Sequence, residues 1–359
     1  MTAQSTDVLI LGGGLSGLLT AHLLRQQGIT ALILEARHRI GGRIQTTYFR
    51  EDAPLEMGAT WLGKKHQQLV ALLQELDIGI FEQRLGKNAI YEPISTSPPQ
   101  LVQLPPNDAP SFRIQGGTHK LIQSLADSLE SHQIQLGQEV QSIELQSDGL
   151  LVKSQDKRYH AQIVVSTLPP YLLLQTVQLQ PSLPEEVQSL ALNTHTWMGE
   201  SIKVGLTYAA PYWRAPNLSG NVFSNVGPIS ELYDHSNVEE SFFALKGFMN
   251  ASYHSTSREF RLERILQQLE KYFGRQVREY LQYEEVVWRQ EPHTFRPYQT
   301  DILPHQNNGH PLFRHLYLDN RLILAGSETA AQFPGYMEGA VQSALRASQQ
   351  ISTYLQNLV

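Results

Sequence analysis

Three glycines, one carboxylate and one lysine carry most of the chemistry legible in this chain. Gly12, Gly14 and Gly17 stand at G-x-G-x-x-G spacing directly after the apolar run 8–11. Gly12 allows a tight strand-to-helix turn, Gly14 lets the backbone approach a pyrophosphate, and Gly17 lets the following helix pack closely on the strand. A diphosphate then rests on the free amides of the helix N-terminus. The helical stretch 15–27 is closed by Gly28, and a second apolar strand, 31–34, ends at Glu35. That carboxylate stands about 20 residues beyond the glycines, where it can accept the ribose hydroxyls of a dinucleotide. The glycine hexamer alone also occurs in ordinary turns; the strand, helix, strand and acid around it make it specific.

A nicotinamide dinucleotide would satisfy the same geometry. The segment 37–43, RHRIGGR, favours FAD, because its paired glycines carry the chain closely past the cofactor while Arg43 can pair with phosphate oxygens. At the far end of the chain, 322–346, LILAGSETAAQFPGYMEGAVQSALR, reads as a strand, a Gly-rich turn and a helix. The two ends read as halves of one flavin site.

The chain resembles the flavin-containing monoamine oxidase family along almost its whole length. The resemblance rests on GGGLSG with EARHRIGGR, EMGATWLG at 56–63, FRIQGGTHKLIQSLADSL with VVSTLPP, WMGESIKVGLTYAAPYWR at 197–214, and the C-terminal GSETA and PGYMEGAV. It implies FAD held by Gly12, Gly14, Ser16, Gly17, Glu35, Ala36, Arg37, Gly42, Arg43, Gly58, Ala59, Thr60, Val140 near the adenine, Trp288, Gly326, Ser327, Tyr336 and Met337. It also implies oxidation of a small-molecule amine to an imine, with dioxygen reduced to hydrogen peroxide. The flavin does the redox chemistry while the protein orients the substrate and tunes charge.

Lys203, Tyr298 and Tyr336 are the expected catalytic residues. Lys203 lies in SIKVGLTY, alternating with Ile202, Val204 and Leu206, so a strand turns it away from the large apolar side chains. An arbitrary strand lysine of this kind faces solvent, but the flanking WMG and PYWR match the family block whose lysine holds a water beside the flavin. Tyr336, in PGYMEG, and Tyr298, ten residues after Trp288, match the family's two aromatic rings, which can guide an amine and stabilise its partial charge. Ordinary aromatic packing is the competing account of both. Pro297 falls where covalent members carry a cysteine, and the chain has none, so FAD is expected to bind noncovalently. The Met337 amide, at the start of a helix 338–346, can donate to the flavin pyrimidine carbonyl with help from the helix dipole. Glu338 reads as a first-turn helix acid rather than a base. His119, His293 and His305 show no metal-ligand spacing and read as surface or loop residues; no metal is expected.

These residues need an α/β and α+β architecture: a discontinuous Rossmann-like FAD-binding domain with an inserted domain of mixed sheet plus helices. The expected FAD domain comprises 1–65, 112–172 and 296–359, and the substrate domain 66–111 and 173–295. Within them, 93–111 is Pro- and Ser-rich and reads as irregular, 140–153 as a hairpin around Asp148-Gly149, and 257–273 as a packing helix. Only residues 64–111 separate the GATWLG and FRIQGG blocks, far fewer than in typical animal relatives, so a shorter or more open cavity is expected. A formal charge of −6 argues against a nucleic-acid partner. Without cysteine there are no disulfides, and without a signal pattern or an apolar run of about 20 residues the expectation is a cytoplasmic protein with no membrane span. An oxidase of the same superfamily acting on an amino acid, a polyamine or a desaturable apolar substrate is the alternative. A flavin-binding redox or regulatory protein with little turnover is a further one. An amino-acid oxidase would need an arginine aimed at the substrate carboxylate, and none is identifiable.

Overall fold

The computed structural model describes residues 3–50, 53–215 and 218–357. A nine-stranded sheet is built around the strand Gln4–Leu11, which pairs in parallel with Ala31–Glu35 on one side and with Arg158–Ser166 on the other. Ile134–Leu136 extends it beyond Ala31–Glu35. The hairpin Val140–Leu145 and Leu150–Ser154 extends it antiparallel beyond the first part of Arg158–Ser166, and Leu322–Leu324 pairs in parallel with the last part of that strand. The central strands are apolar on both faces because both are covered. Leu15–Gln26 and Met337–Gln356 pack on one side, with Val8, Ile10, Leu18 and Ala344 in a shared core, while Leu9, Leu11, Tyr159 and Leu322 belong to the core on the other.

The second sheet has seven strands in the order Gln282–Val287, Ile202–Tyr208, Phe243–Met249, Ile229–Asp234, Val222–Ser224, Asn88–Glu92 and Gln100–Gln103. One of its faces is apolar. Ile202, Val204 and Leu206 pack there against Ile265, Leu266 and Leu269 of the helix Arg258–Phe273, which Ser257 caps through its side chain. The other face carries Lys203, Gly205, Lys246 and Phe248, since alternate strand residues point to opposite sides.

Several elements depart from the sequence expectation. The first strand begins at Gln4 rather than 8, because its early residues pair with Tyr159–Ala161, a tertiary contact that periodicity does not announce. The stretch read as irregular, 93–111, contains the strand Gln100–Gln103, which is mostly exposed and therefore lacks an alternating pattern. The C-terminal helix runs from Met337 to Gln356, past 346. Gln178–Gln180, beyond the expected 172 boundary, pairs in the first sheet with Ser142–Glu144. Among the described residues, no helix is long and apolar enough to cross a membrane.

Candidate active site

The glycines are where steric necessity is plainest. A Cβ on Gly17 would lie 2.0 Å from the Gly12 carbonyl oxygen, so helix and turn meet only because residue 17 has no side chain. Gly12 has φ +105°, a conformation L side chains rarely adopt. Glu35, at the end of its strand, is buried; it accepts from the Gly13 amide at 2.7 Å and from the Arg37 amide at 2.9 Å. The remaining lone pairs of its carboxylate are available to a diol.

Most of these residues line one cleft that opens to solvent. Gly12, Gly14, Ser16, Glu35, Ala36, Arg37, Gly42, Arg43, Ala59, Val140, Ser327, Tyr336 and Met337 all reach it, so both chain ends meet there. Ser16 Oγ donates to the Ala325 carbonyl, joining the ends directly. Gly17, Gly58, Thr60, Lys203, Trp288, Tyr298 and Gly326 lie outside the lining. Gly326 leaves room for the Thr167 and Leu168 carbonyls, and Trp288 Nε1 donates to the Met57 carbonyl at 2.9 Å. Two helix N-termini open on the cleft, that of Leu15–Gln26 behind Gly14 and that of Met337–Gln356 behind Tyr336, and neither receives a side-chain cap. Two helix starts without a side-chain cap on one cleft fit a ligand with a diphosphate and a second acceptor group. FAD has both, and the residues present suit it.

The Arg43 guanidinium is bound to buried Glu328, with Nη2 to Oε2 at 2.8 Å and to Ser327 Oγ at 2.9 Å, and Nη1 donates to the Trp197 carbonyl at 3.0 Å. Neighbouring Arg43 holds the Glu328 carboxyl below its usual range against the opposing effect of burial. Arg43 thus ties the chain ends together at the wall of the cleft. Glu338 is not a base in the cleft: its carboxylate accepts from Leu69 N at 2.8 Å and Gln68 N at 3.3 Å, capping the helix Gln67–Glu75.

Lys203 is 5% exposed despite lying on the face away from the apolar core. Its ammonium donates to the Gly58 carbonyl and lies 5.3 Å from the Phe248 ring centroid. Burial lowers its pKa to about 8, with Glu56 opposing the shift. The loop reaches it because Gly205 lets Leu55 pack against the strand, where a Cβ would come within 2.7 Å of Leu55 Cδ2. Met57 N and Gly58 N both donate to the Gln45 carbonyl, and a Cβ on Gly58 would meet the Arg43 oxygen at 2.3 Å.

Tyr336 is 40% exposed at the cleft. Its ring lies 5.6 Å from Trp197 and 5.9 Å from His305, which itself stacks on Trp197 at 3.8 Å. Tyr298 is turned elsewhere: its hydroxyl accepts from the Thr196 amide at 2.8 Å, and its ring packs on Tyr171 and Phe295. The rings in contact with Tyr336 therefore include Trp197 and His305, which sequence reading assigned to no role or to a loop. His293 also lines the cleft, next to Thr294, whose hydroxyl accepts from Arg37 at 2.6 Å. His119 is half-buried at the start of the helix His119–Asp127. Lys246 is the largest omission. The motif FALKGFM offers the same signal as SIKVGLTY, a lysine alternating with apolar residues in a strand, but no family block draws attention to it.

A nine-stranded and a seven-stranded sheet, a cleft lined by the glycines and acid of a dinucleotide motif, and a buried lysine tied to the Gly58 carbonyl next to that lining are the features of a flavin-binding oxidoreductase. The family model for flavin containing amine oxidoreductase matches residues 15–93 and 94–352, and the chain belongs to that family. Its cofactor is FAD, and with no cysteine no thioether to the flavin can form. The chain is 24% identical to a probable flavin-containing monoamine oxidase A of Dictyostelium discoideum, over 98% of each chain. It is 22% identical to human flavin-containing amine oxidase B, covering 97% of this chain and 86% of the relative. Those alignments run to 454 positions against the 359 residues here, so the relatives carry insertions this chain lacks. Among solved structures, putrescine oxidase bound to putrescine superposes with a TM-score of 0.84 at 22% identity, covering 98% of this chain and 100% of that one. Cyclohexylamine oxidase from Brevibacterium oxydans superposes at 0.86 and 20% identity, over 98% and 99%. These two likenesses establish the fold.

Proposed function

We propose that this enzyme oxidises a small-molecule amine to an imine, which hydrolyses to an aldehyde or ketone, and passes the electrons to dioxygen to give hydrogen peroxide. The observation that carries the reading is the buried Lys203 ammonium, held on the Gly58 carbonyl beside a cleft shaped for FAD. The nine-stranded sheet and its helices form the cofactor unit, and the seven-stranded sheet roofs the substrate side. FAD supplies the two-electron chemistry when bound. The chain supplies the rest. The amides of the Leu15–Gln26 N-terminus, with Arg37 nearby, would hold the diphosphate, Glu35 would hold the ribose, and the amide of Met337 would serve the pyrimidine carbonyl. Lys203 places a positive charge where dioxygen gains electrons, a step that a preorganised cation assists in a dry site. Tyr336 gives the amine an aromatic wall, backed by Trp197 and His305. Tyr298 acts by anchoring the 195–197 segment through Thr196 rather than as the opposite wall. Arg289 and Arg296 are exposed and lie outside the lining of the cleft.

The test is to supply a panel of primary and secondary amines in air and measure peroxide and carbonyl product together. Equal amounts of both are expected with at least one amine. Tightly bound flavin with no peroxide from any amine would instead fit a redox or regulatory protein.

A further inference from the structure

Lys203 has a companion. Lys246 lies on the adjacent strand, facing Gly205 in the register and pointing to the same side of the sheet. It is 0% exposed. Its amine bonds to Thr60 Oγ1 and sits 4.5 Å from the Trp61 ring centroid. Thr60 Oγ1 in turn donates to the Gly58 carbonyl at 3.1 Å, the same oxygen that accepts from Lys203. Both lysines therefore converge on one carbonyl, one directly and one through a hydroxyl.

The surroundings do not balance two ammonium charges. From the strand Pro54–Glu56 comes Glu56, whose carboxylate is already engaged by the Thr118 amide at 2.5 Å and the Thr46 hydroxyl at 2.8 Å. From Ser111–Ile114 comes Arg113, another buried cation, bound to the His235 and Ser236 carbonyls. His235 accepts the Glu56 amide on Nε2 at 3.3 Å, so its proton is on Nδ1 and the ring is neutral. Tyr233, opposite Lys246 on the next strand, adds a ring against Trp61. Two buried like charges tied to one carbonyl, one directly and one through a hydroxyl, disfavour each other's protonation.

We propose that Lys203 and Lys246 form a lysine pair that carries a single positive charge at neutral pH, with Lys246 the neutral, proton-accepting member. Burial, and then the Lys203 charge, push Lys246 well below the usual lysine range, with Glu56 opposing and Arg113 adding to the effect. On the proposed function, on which this inference rests for its use, the pair serves the proton balance of turnover. An ammonium substrate must shed one proton before its carbon can give up a hydrogen with two electrons. Reduction of dioxygen to hydrogen peroxide by reduced flavin takes one proton up. A neutral lysine beside Lys203 can accept the first proton, giving an ammonium, and surrender it in the second step.

The test needs no turnover, so it stands whether or not any amine is oxidised. The chain has nine lysines, few enough for their side-chain carbon and nitrogen signals to be followed by NMR in FAD-loaded protein labelled at lysine. At pH 7 all but one should show ammonium shifts, and the exception should disappear in Lys246→Met. In Lys203→Met, the signal of the neutral amine should titrate about one pH unit or more higher, as expected when a neighbouring like charge is removed. This second variant decides the matter even if Lys246→Met does not fold. Nine ammonium signals at pH 7, or a neutral amine whose midpoint does not move when Lys203 is replaced, would overturn the pair.

Discussion

The two ends of the site recognise by different means. Around Gly12, Glu35 and the two uncapped helix starts, the cleft is made largely of backbone, and its selectivity comes from where a Cβ cannot be. Around Lys203, it is made of side chains brought together from separate strands and loops, and its properties come from burial and charge. Where glycine packs directly on backbone, as at Gly17, the site tolerates no added atom. A side-chain site tolerates exchange but changes its chemistry. Mutations should therefore cost cofactor content at the first end and kinetics at the second.

The largest effect is expected at Gly17. Replacing it with Val places carbon 2.0 Å from the Gly12 oxygen, so the variant should lose FAD and most soluble protein, measured by flavin absorbance after purification. A Gly17→Val protein with full flavin content would break the contrast between the ends. Next comes Lys203→Met. Flavin content should stay intact, while reoxidation by dioxygen slows by on the order of 100-fold, the scale of losing one preorganised electrostatic group. Rapid mixing separates this from reduction by amine, which should change much less. Tyr336→Ala should lower the efficiency of reduction, by up to about 100-fold if the reacting carbon moves by about 1 Å, with flavin content again intact. Wild-type reduction kinetics in that variant would reduce Tyr336 to packing.

The lysine end also predicts opposite pH slopes. Lys203 has a folded pKa lowered to about 8, so its charge is present below that pH and lost above it, and reoxidation should fall as pH rises through about 8. Reduction should rise over the same interval, because more of an alkylamine substrate is neutral. Parallel slopes would remove the cation from the oxygen step. The smallest effect belongs to Glu338→Gln. The amide can keep only part of the cap on Gln67–Glu75, so stability should fall by about 1 to 3 kcal/mol in thermal unfolding with little kinetic change.

The same contrast explains what was legible in the sequence. The glycine hexamer, Glu35, the helix after Gly14 and the C-terminal PGYM turn are legible because local sequence determines local backbone there, and residues of these segments line one cleft. Lys203 was found through its neighbours in the chain. Lys246 was not, because its meaning depends on register: only pairing of Phe243–Met249 with Ile202–Tyr208 puts it beside Lys203. Likewise Trp197 and His305 lie far apart in sequence and stack only after folding, while Tyr298 was placed by counting from Trp288, which says nothing of where its ring turns. The Arg43–Glu328 pair is invisible to local sequence because its partner comes from the other end of the chain.

Anaerobic mixing with a panel of amines, followed by admission of dioxygen, tests the central claim most directly, because bleaching of the flavin identifies a substrate independently of the electron acceptor. At least one amine should bleach the flavin fully, and dioxygen should restore the oxidised spectrum with one hydrogen peroxide formed per flavin. A protein that purifies without flavin, or whose flavin stays oxidised with every amine yet is reduced by a nicotinamide nucleotide, would contradict it.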